Sequence, residues 1–253
     1  MKFGITQGTA GKSGEEFPRR AKELGFEGME PMMGTHVSET DLGRPAVRRR
    51  LFETAKKIGI AIPSAAFALF NETGGFVKDA PDSDEELFEA IRCASFVSAK
   101  VLLVCSYFNG DPKTPQEIEK FMDGIRRALP EAKNVGLKLA LEVPLDAETL
   151  VRLVDQEGSE FLGVYYDPGN TLWLGRDPAA EIRRLGKRIL ALHLKDTAEM
   201  LGDRHLGEGR GNWQDIAAAI DDIDYKGWFM LETPREDDAA IRRDLEFMKN
   251  MIR

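Results

Sequence analysis

The strongest constraint on this chain is an alternation that runs its whole length. Eight short runs rich in aliphatic and β-branched residues are separated by eight longer amphipathic stretches, the rhythm of a parallel sheet with helices packed outside it. The strand-like runs are KFGITQ from Lys2, GMEPMM from Gly28, IAIPSAAF from Ile60, KVLLVCSY from Lys100, LKLALEV from Leu137, FLGVYYD from Phe161, ILALHLKD from Ile189 and GWFMLET from Gly227. Helices are expected at 13–24, 45–58, 82–98, 114–135, 146–156, 177–186, 212–222 and 236–252. Ser83 with Glu86 reads as a capping box opening the third helix, and Thr114 followed by Pro115 marks the start of the fourth.

No Ser/Gly linker, low-complexity tract or charge block divides the chain. Eight βα units in 253 residues therefore match a single-domain (β/α)8 TIM barrel spanning 1–253. A doubly wound open sheet is the alternative. It is weakened because TQGTAGKSGEE, after the first strand, has neither GxGxxG nor GxxxxGK[ST] spacing, so no nucleotide site is expected there.

Composition narrows the class of partner. With 42% hydrophobic and 31% charged residues and no long apolar run, the chain is expected to stay in water, away from membranes. Its start, MKFGITQG, lacks the apolar core of a secretion signal, and its two scattered cysteines form neither a zinc motif nor a disulfide scaffold, so a cytoplasmic location is expected. A formal charge of -8 repels polyphosphates, which favours a small-molecule substrate over nucleic acid.

Side chains alternate across a strand, so every second residue of a barrel strand points to the interior. In LALHLKD, Leu190, Leu192 and Leu194 share the outer face, leaving Ala191, His193 and Lys195 inside. The same parity places Leu137, Leu139, Leu141 and Val143 outside and Lys138, Ala140 and Glu142 inside. Glu232 then shares the inner face with Met230, and Asp167 shares one with Tyr165. The fifth to eighth strands each deliver one metal-capable group, Glu142, Asp167, His193 and Glu232, to the C-terminal mouth where barrels build active sites. Three carboxylates and an imidazole without matching cations would repel one another, and a divalent cation resolves this. The mixed oxygen and nitrogen donors, with no thiolate, suit Mn²⁺, Mg²⁺, Co²⁺ or Zn²⁺ in a site left open to a chelating substrate.

The segments LALEVP around Glu142, YYDPGN around Asp167, LHLKDT around His193, LGEGRGNW from Leu206 and GWFMLETP around Glu232 resemble the xylose isomerase-like barrels, over nearly the whole chain. That family includes sugar and sugar-phosphate isomerases, ketose 3-epimerases and endonuclease IV. By resemblance to the ketose 3-epimerases, Glu142, Asp167, His193 and Glu232 would bind one divalent ion, Mn²⁺ foremost. Glu142 and Glu232 would also exchange the proton at the substrate's C3 through a cis-enediolate. HLKDT with the later GEG resembles the pentulose-5-phosphate 3-epimerases, which keeps a sugar phosphate open beside a free sugar. Aldose–ketose isomerisation of the hydroxypyruvate isomerase type and inosose dehydratase-like elimination are the neighbouring chemistries, and a non-catalytic metal- or sugar-binding barrel is the reading from a different class. Endonuclease IV-like activity is not expected, because PSAAF and VCSYF end without the extra histidines and Asp167-Pro-Gly-Asn170 replaces Asp-x-x-His. A homodimer or homotetramer is the expected assembly.

Around the four ligands, Glu30, Asn170, Lys195, His205 and Arg210 are candidate substrate contacts. Lys195 reaches a substrate oxygen or phosphate, or else pairs with Asp196 or Glu199 at the rim. Asp196, of opposite parity, is read as capping the turn that follows. Glu30 has inward parity and meets a sugar hydroxyl or a lysine such as Lys138. Asn170 orients Asp167 or meets substrate. Arg210 with Gly207, Gly209 and Gly211 makes a phosphate cradle or a plain turn. His205 overhangs the mouth, FNETGGF from Phe70 forms a lid or dimer contact, Cys105 fills the core, and Trp173 walls the pocket or packs on its helix.

Overall fold

The computed structural model describes residues 1–234 and 237–252. Its strands are β1 (Lys2–Thr6), β2 (Gly28–Glu30, resumed after Pro31 as Met32–Met33), β3 (Ser64–Phe67), β4 (Val101–Cys105), β5 (Lys138–Glu142), β6 (Leu162–Tyr166), β7 (Ile189–Leu194) and β8 (Trp228–Leu231). All pair in parallel, each with its sequence neighbours, and β1 also pairs with β8, which makes a TIM barrel. Counted by hydrogen bonding the sheet has nine strands, because the two pieces of β2 are separate: Gly28–Glu30 pairs with β1 and Met32–Met33 with β3. Pro31 makes the break. It has no N–H to give to the ladder, although its carbonyl still accepts from Ala66 N at 2.9 Å. Pro63 likewise shortens the third strand, which starts at Ser64 rather than Ile60; of the earlier residues, Ala61 keeps an isolated bridge to Gly28.

Eight long helices follow the strands: α1 (Glu16–Leu24), α2 (Pro45–Ile58), α3 (Ser83–Phe96), α4 (Pro115–Asn134), α5 (Ala147–Glu157), α6 (Pro178–Leu185), α7 (Trp213–Asp222) and α8 (Asp238–Met251). The expected start of the last helix at 236 lies outside the described residues. Short helical turns occupy Gln7–Ala10, Phe70–Thr73 and Pro168–Trp173. Helix α4 opens on a full capping box, with Thr114 and Glu117 bonding each other's backbone N–H and Pro115 in the first turn. The box expected at α3 does not form. Asp82 is the N-cap there, Ser83 Oγ donates to the Ala80 carbonyl, and the Glu86 carboxylate is taken by Val37 N–H at 2.8 Å and the His36 ring at 2.7 Å.

Two cores separate along the expected parity. Leu139, Leu141, Leu192, Leu194, Phe229 and Leu231 pack under the helices, while Ala140, Tyr165, Ala191 and Met230 join a distinct inner cluster with Leu103 and Cys105. Each fully buried Leu or Phe contributes about 1.5–3 kcal/mol. A one-residue slip of β5 or β7 would forfeit several such terms and turn Glu142 or His193 under the helices, so the greasy face fixes where the polar face points. Leu190 departs from this parity. Opposite it, Val164 pairs with Ile189 and Tyr165 with Ala191, a bulge that places two steps of β7 against one of β6 and turns Leu190 toward the inner cluster.

The FNETGGF segment packs through its aromatic residues. Phe70 and Phe76 are buried, with ring centroids 4.9 Å apart, and Phe70 also meets Phe67 at 4.8 Å. Gly75 is required at this contact, since a Cβ there would lie 2.4 Å from the Phe70 ring. No helix among the described residues is long and apolar enough to cross a membrane.

Candidate functional site

At the C-terminal mouth, Glu142 is the last residue of β5 and His193 the penultimate residue of β7, while Asp167 and Glu232 follow immediately after β6 and β8. One ligand atom from each of these four lies within 4.8 Å of all the others. His193 Nδ1 is 3.0 Å from Glu232 Oε2, 3.4 Å from Glu142 Oε1 and 4.0 Å from Asp167 Oδ2. Local structure aims each group. Asp167 N-caps the Pro168–Trp173 turn, so its Oδ1 accepts from Gly169 N at 2.7 Å and Asn170 N at 3.3 Å, leaving Oδ2 for the cluster. Glu142 Oε1 accepts from Asn170 Nδ2 at 3.0 Å. Gly169 lets this turn approach β7, since a Cβ there would lie 2.4 Å from Lys195 Cγ.

Lys195 enters the same cluster. Its Nζ donates to Glu232 Oε2 at 2.6 Å and faces Asp167 Oδ2 at 2.9 Å, so its partners are two of the four cluster residues rather than Asp196 or Glu199. The charges are strongly mutual. Burial would lower the pKa of His193, but Glu232 and Glu30 beside it hold it well above the ordinary imidazole value. Lys195 is likewise raised, against its burial, by Asp167 and Glu232. The two carboxylates that share this ammonium diverge. Burial pushes Asp167 up to about 6, whereas burial of Glu232 is outweighed by Lys195 and His193, which hold it below the usual carboxylate range. The partners account for the difference: Glu232 meets Lys195 and His193 at 2.6 and 3.0 Å, whereas Asp167 meets the ammonium at 2.9 Å while Glu232 and Glu142 repel its charge.

The donor set fits a divalent cation. His193 Nδ1 and Asp167 Oδ2 are buried without an aligned hydrogen bond among the described residues, and three carboxylates surround a single imidazole. Glu232 and Lys195 border a cavity of about 320 Å³, also lined by Thr6, Thr9, Met32 and Pro234, which is the size of a small-ligand pocket.

A family model for the xylose isomerase-like TIM barrel matches residues 18–251. The chain belongs to that family. Its sequence is similar to inosose dehydratase of Geobacillus kaustophilus (strain HTA426), 28% identical over 159 residues, covering 54% of this chain and 51% of that protein. The chain thus aligns with about half of that dehydratase's length. It is also similar to the putative L-ribulose-5-phosphate 3-epimerase SgbU of Escherichia coli (strain K12), 27% identical over 238 residues, covering 84% of this chain and 80% of that one. Among solved structures, D-psicose 3-epimerase in the presence of D-fructose superposes with a TM-score of 0.80 at 17% identity, over 100% of this chain and 99% of that one.

In this member of the family the remaining candidates divide. Asn170 touches both Asp167 and Glu142, and its Oδ1 is buried with no hydrogen-bond partner among the described residues. Glu30 lies in the barrel, 1% exposed, and bonds His193 rather than Lys138. His205 is buried and held through Nδ1 by Asp244 Oδ2 at 2.6 Å, and it is not among the cavity-lining residues. Arg210 is exposed, and its guanidinium donates to the Leu172 carbonyl at 3.4 Å. The glycine-rich loop is a turn, not a cradle open to the mouth. Asp196 accepts from Gly207 N at 3.0 Å, Gly209 N at 3.1 Å, Gly211 N at 3.2 Å and Trp213 Nε1 at 2.8 Å, so these donors face inward to a carboxylate. Trp173 is 40% exposed and Cys105 belongs to the inner core.

Three residues with a part in the site escape a reading by parity alone. Ser64 and Tyr165 hold Glu30, and Asp244 ties His205, Leu206 N and Thr233 together. Asp244 did leave a signal, a lone acid on the buried stripe of Ile241, Leu245 and Met248.

Proposed function

We propose that the protein is a divalent-metal-dependent sugar isomerase or epimerase, and within that class a ketose 3-epimerase. The observation that carries the reading is the convergence of Glu142, Asp167, His193 and Glu232 at the barrel mouth, with Glu142 and Glu232 as its outermost members around the barrel. A divalent ion held by these four, Mn²⁺ by preference, would polarise a ketone and acidify the adjacent C–H. Glu232 withdraws the C3 proton from one face and Glu142 delivers one to the other, or the reverse, according to the sugar's configuration. Lys195 keeps Glu232 ionised and so able to act as a base. Asn170 steadies Glu142 and offers Oδ1 to a substrate hydroxyl.

An unphosphorylated sugar suits the site better than a sugar phosphate. Of the described residues lining the cavity, Lys195 alone is a Lys or Arg, and its ammonium is already committed to two carboxylates. A second reading, dehydration of a cyclic polyol ketone, draws support from that same ammonium, a proton donor 2.6 Å from the base and on the wall of the cavity.

One experiment separates these chemistries. The Mn²⁺-loaded protein is incubated in D₂O with a panel of ketoses, their phosphates and inosose, and deuterium is located by NMR. Label at C3 with a new epimer supports the epimerase, label at C1 or C2 an aldose–ketose isomerase, and loss of water from inosose the dehydratase. Absence of exchange or turnover across the whole panel overturns the proposal.

A further inference from the structure

Behind His193, on the side away from the ligand cluster, lies a buried polar group that the proposed chemistry does not use. Glu30 ends the first piece of β2 and is 1% exposed. Its Oε1 is 2.7 Å from His193 Nε2. Its Oε2 accepts from Ser64 Oγ at 2.5 Å and Tyr165 Oη at 2.7 Å. Donors from β3, β6 and β7 therefore meet one carboxylate inside the barrel. Tyr165 also lays its ring against the imidazole, with centroids 4.5 Å apart and planes tilted by 52°.

A carboxylate buried this deeply is stable as an anion only when donors surround it, and here both oxygens are engaged. Each oxygen already accepts from the protein, although Glu30 also borders the cavity. Two consequences follow. An ionised Glu30 requires a proton on Nε2, which leaves the lone pair of a neutral imidazole on Nδ1, the nitrogen that faces Glu142, Asp167 and Glu232. The ring cannot swivel either, because Glu30 holds its far edge and Tyr165 covers its face.

We propose that Glu30, locked by Tyr165 and Ser64, is the positioning residue that selects Nδ1 of His193 as the metal-binding nitrogen and sets the site's affinity for a divalent ion. The inference rests on the metal-site reading above, and it adds a function to residues outside the four-ligand set. Outer partners of this kind typically govern 10–100-fold in metal affinity.

The test uses Co²⁺, titrated into chelator-stripped full-length protein at fixed pH. Affinity is read by competition with a chromophoric chelator and geometry by the visible d–d absorption, with the melting temperature of the metal-free form as a check on folding. Glu30→Ala is expected to bind Co²⁺ about 10–100-fold more weakly than wild type with an altered spectrum. Glu30→Gln, which keeps an acceptor for Nε2–H, is expected to recover part of the loss. Tyr165→Phe, which removes one lock and keeps the ring, is expected to lose less than Glu30→Ala, and it decides the matter with Glu30→Gln if Glu30→Ala does not fold. Wild-type affinity and spectrum in the folded variants overturn the proposal and leave the metal site intact, even if the KM for sugar rises. A wild-type protein that takes up no Co²⁺ overturns both.

Discussion

Asp196 and the cluster around His193 lie three residues apart on one strand end, and they treat buried charge in opposite ways. Asp196 is fully buried and accepts five N–H groups, from Thr197, Gly207, Gly209, Gly211 and Trp213, so its charge is dispersed and its hydrogen-bonding capacity consumed. The cluster gathers Glu142, Asp167 and Glu232 around one imidazole and the Lys195 ammonium, and among the described residues Nδ1 and Asp167 Oδ2 have no aligned hydrogen bond. A satisfied carboxylate organises a loop. A set in which three carboxylates share one imidazole and one ammonium keeps acceptors for a ligand, because each of its charges is only partly compensated.

That contrast is open to attack at several points. Glu232→Gln should reduce turnover most, by roughly 10²–10⁴-fold, with the melting temperature of the metal-free form lowered, since it removes a base that Lys195 and His193 hold ionised. Steady-state assays and thermal unfolding would show it, and near-normal turnover would assign proton transfer elsewhere. Asp196→Ala should act first on stability, costing about 3–5 kcal/mol through stranded donors, measurable from the urea midpoint.

Acidity distinguishes the two regions next. In the metal-free protein the raised pKa of His193 contributes stability that is full below its unfolded value near 6.5 and is lost as pH rises through the folded value. The melting temperature of the metal-free form should therefore fall as pH rises above about 6.5. An ion must displace that proton, so Mn²⁺ affinity should rise over the same interval, by up to about tenfold per unit for one proton released, and calorimetry in buffers of different ionisation enthalpy would count it. The smallest effect belongs to Arg210→Ala. With the loop amides turned to Asp196 and the guanidinium exposed, stability should shift by less than about 0.5 kcal/mol and activity hardly at all; a large rise in KM would restore a substrate role for the loop.

Much of this arrangement was legible in the chain. Period-two parity requires only that Leu139, Leu141, Leu192 and Leu194 be driven under the helices, and Glu142 and His193 then point inward together. What parity cannot see is any event that adds a residue or reaches across the barrel. Leu190 was placed on the wrong face because a bulge breaks the count. Glu86 was assigned to its own helix although Val37 and His36, some fifty residues away, hold it. Glu30 was given a sugar or a lysine because nothing local relates it to a histidine 163 residues later. The glycine-rich loop was ambiguous for a related reason: three glycines permit tight backbone approach, but only Asp196 decides which way the amides turn.

The gap at Pro31 gives the barrel an uneven hoop strength. Seven strands are continuous, whereas β2 is split, its first piece pairing with β1 and bridging Ala61 and its second pairing with β3, which leaves a seam at Pro31. Glu30 sits at the lip of that seam and is tied to Ser64, Tyr165 and His193 across the interior. The carboxylate at the broken strand is thus cross-braced to three other strands through the barrel's interior, where the ladder of hydrogen bonds is interrupted.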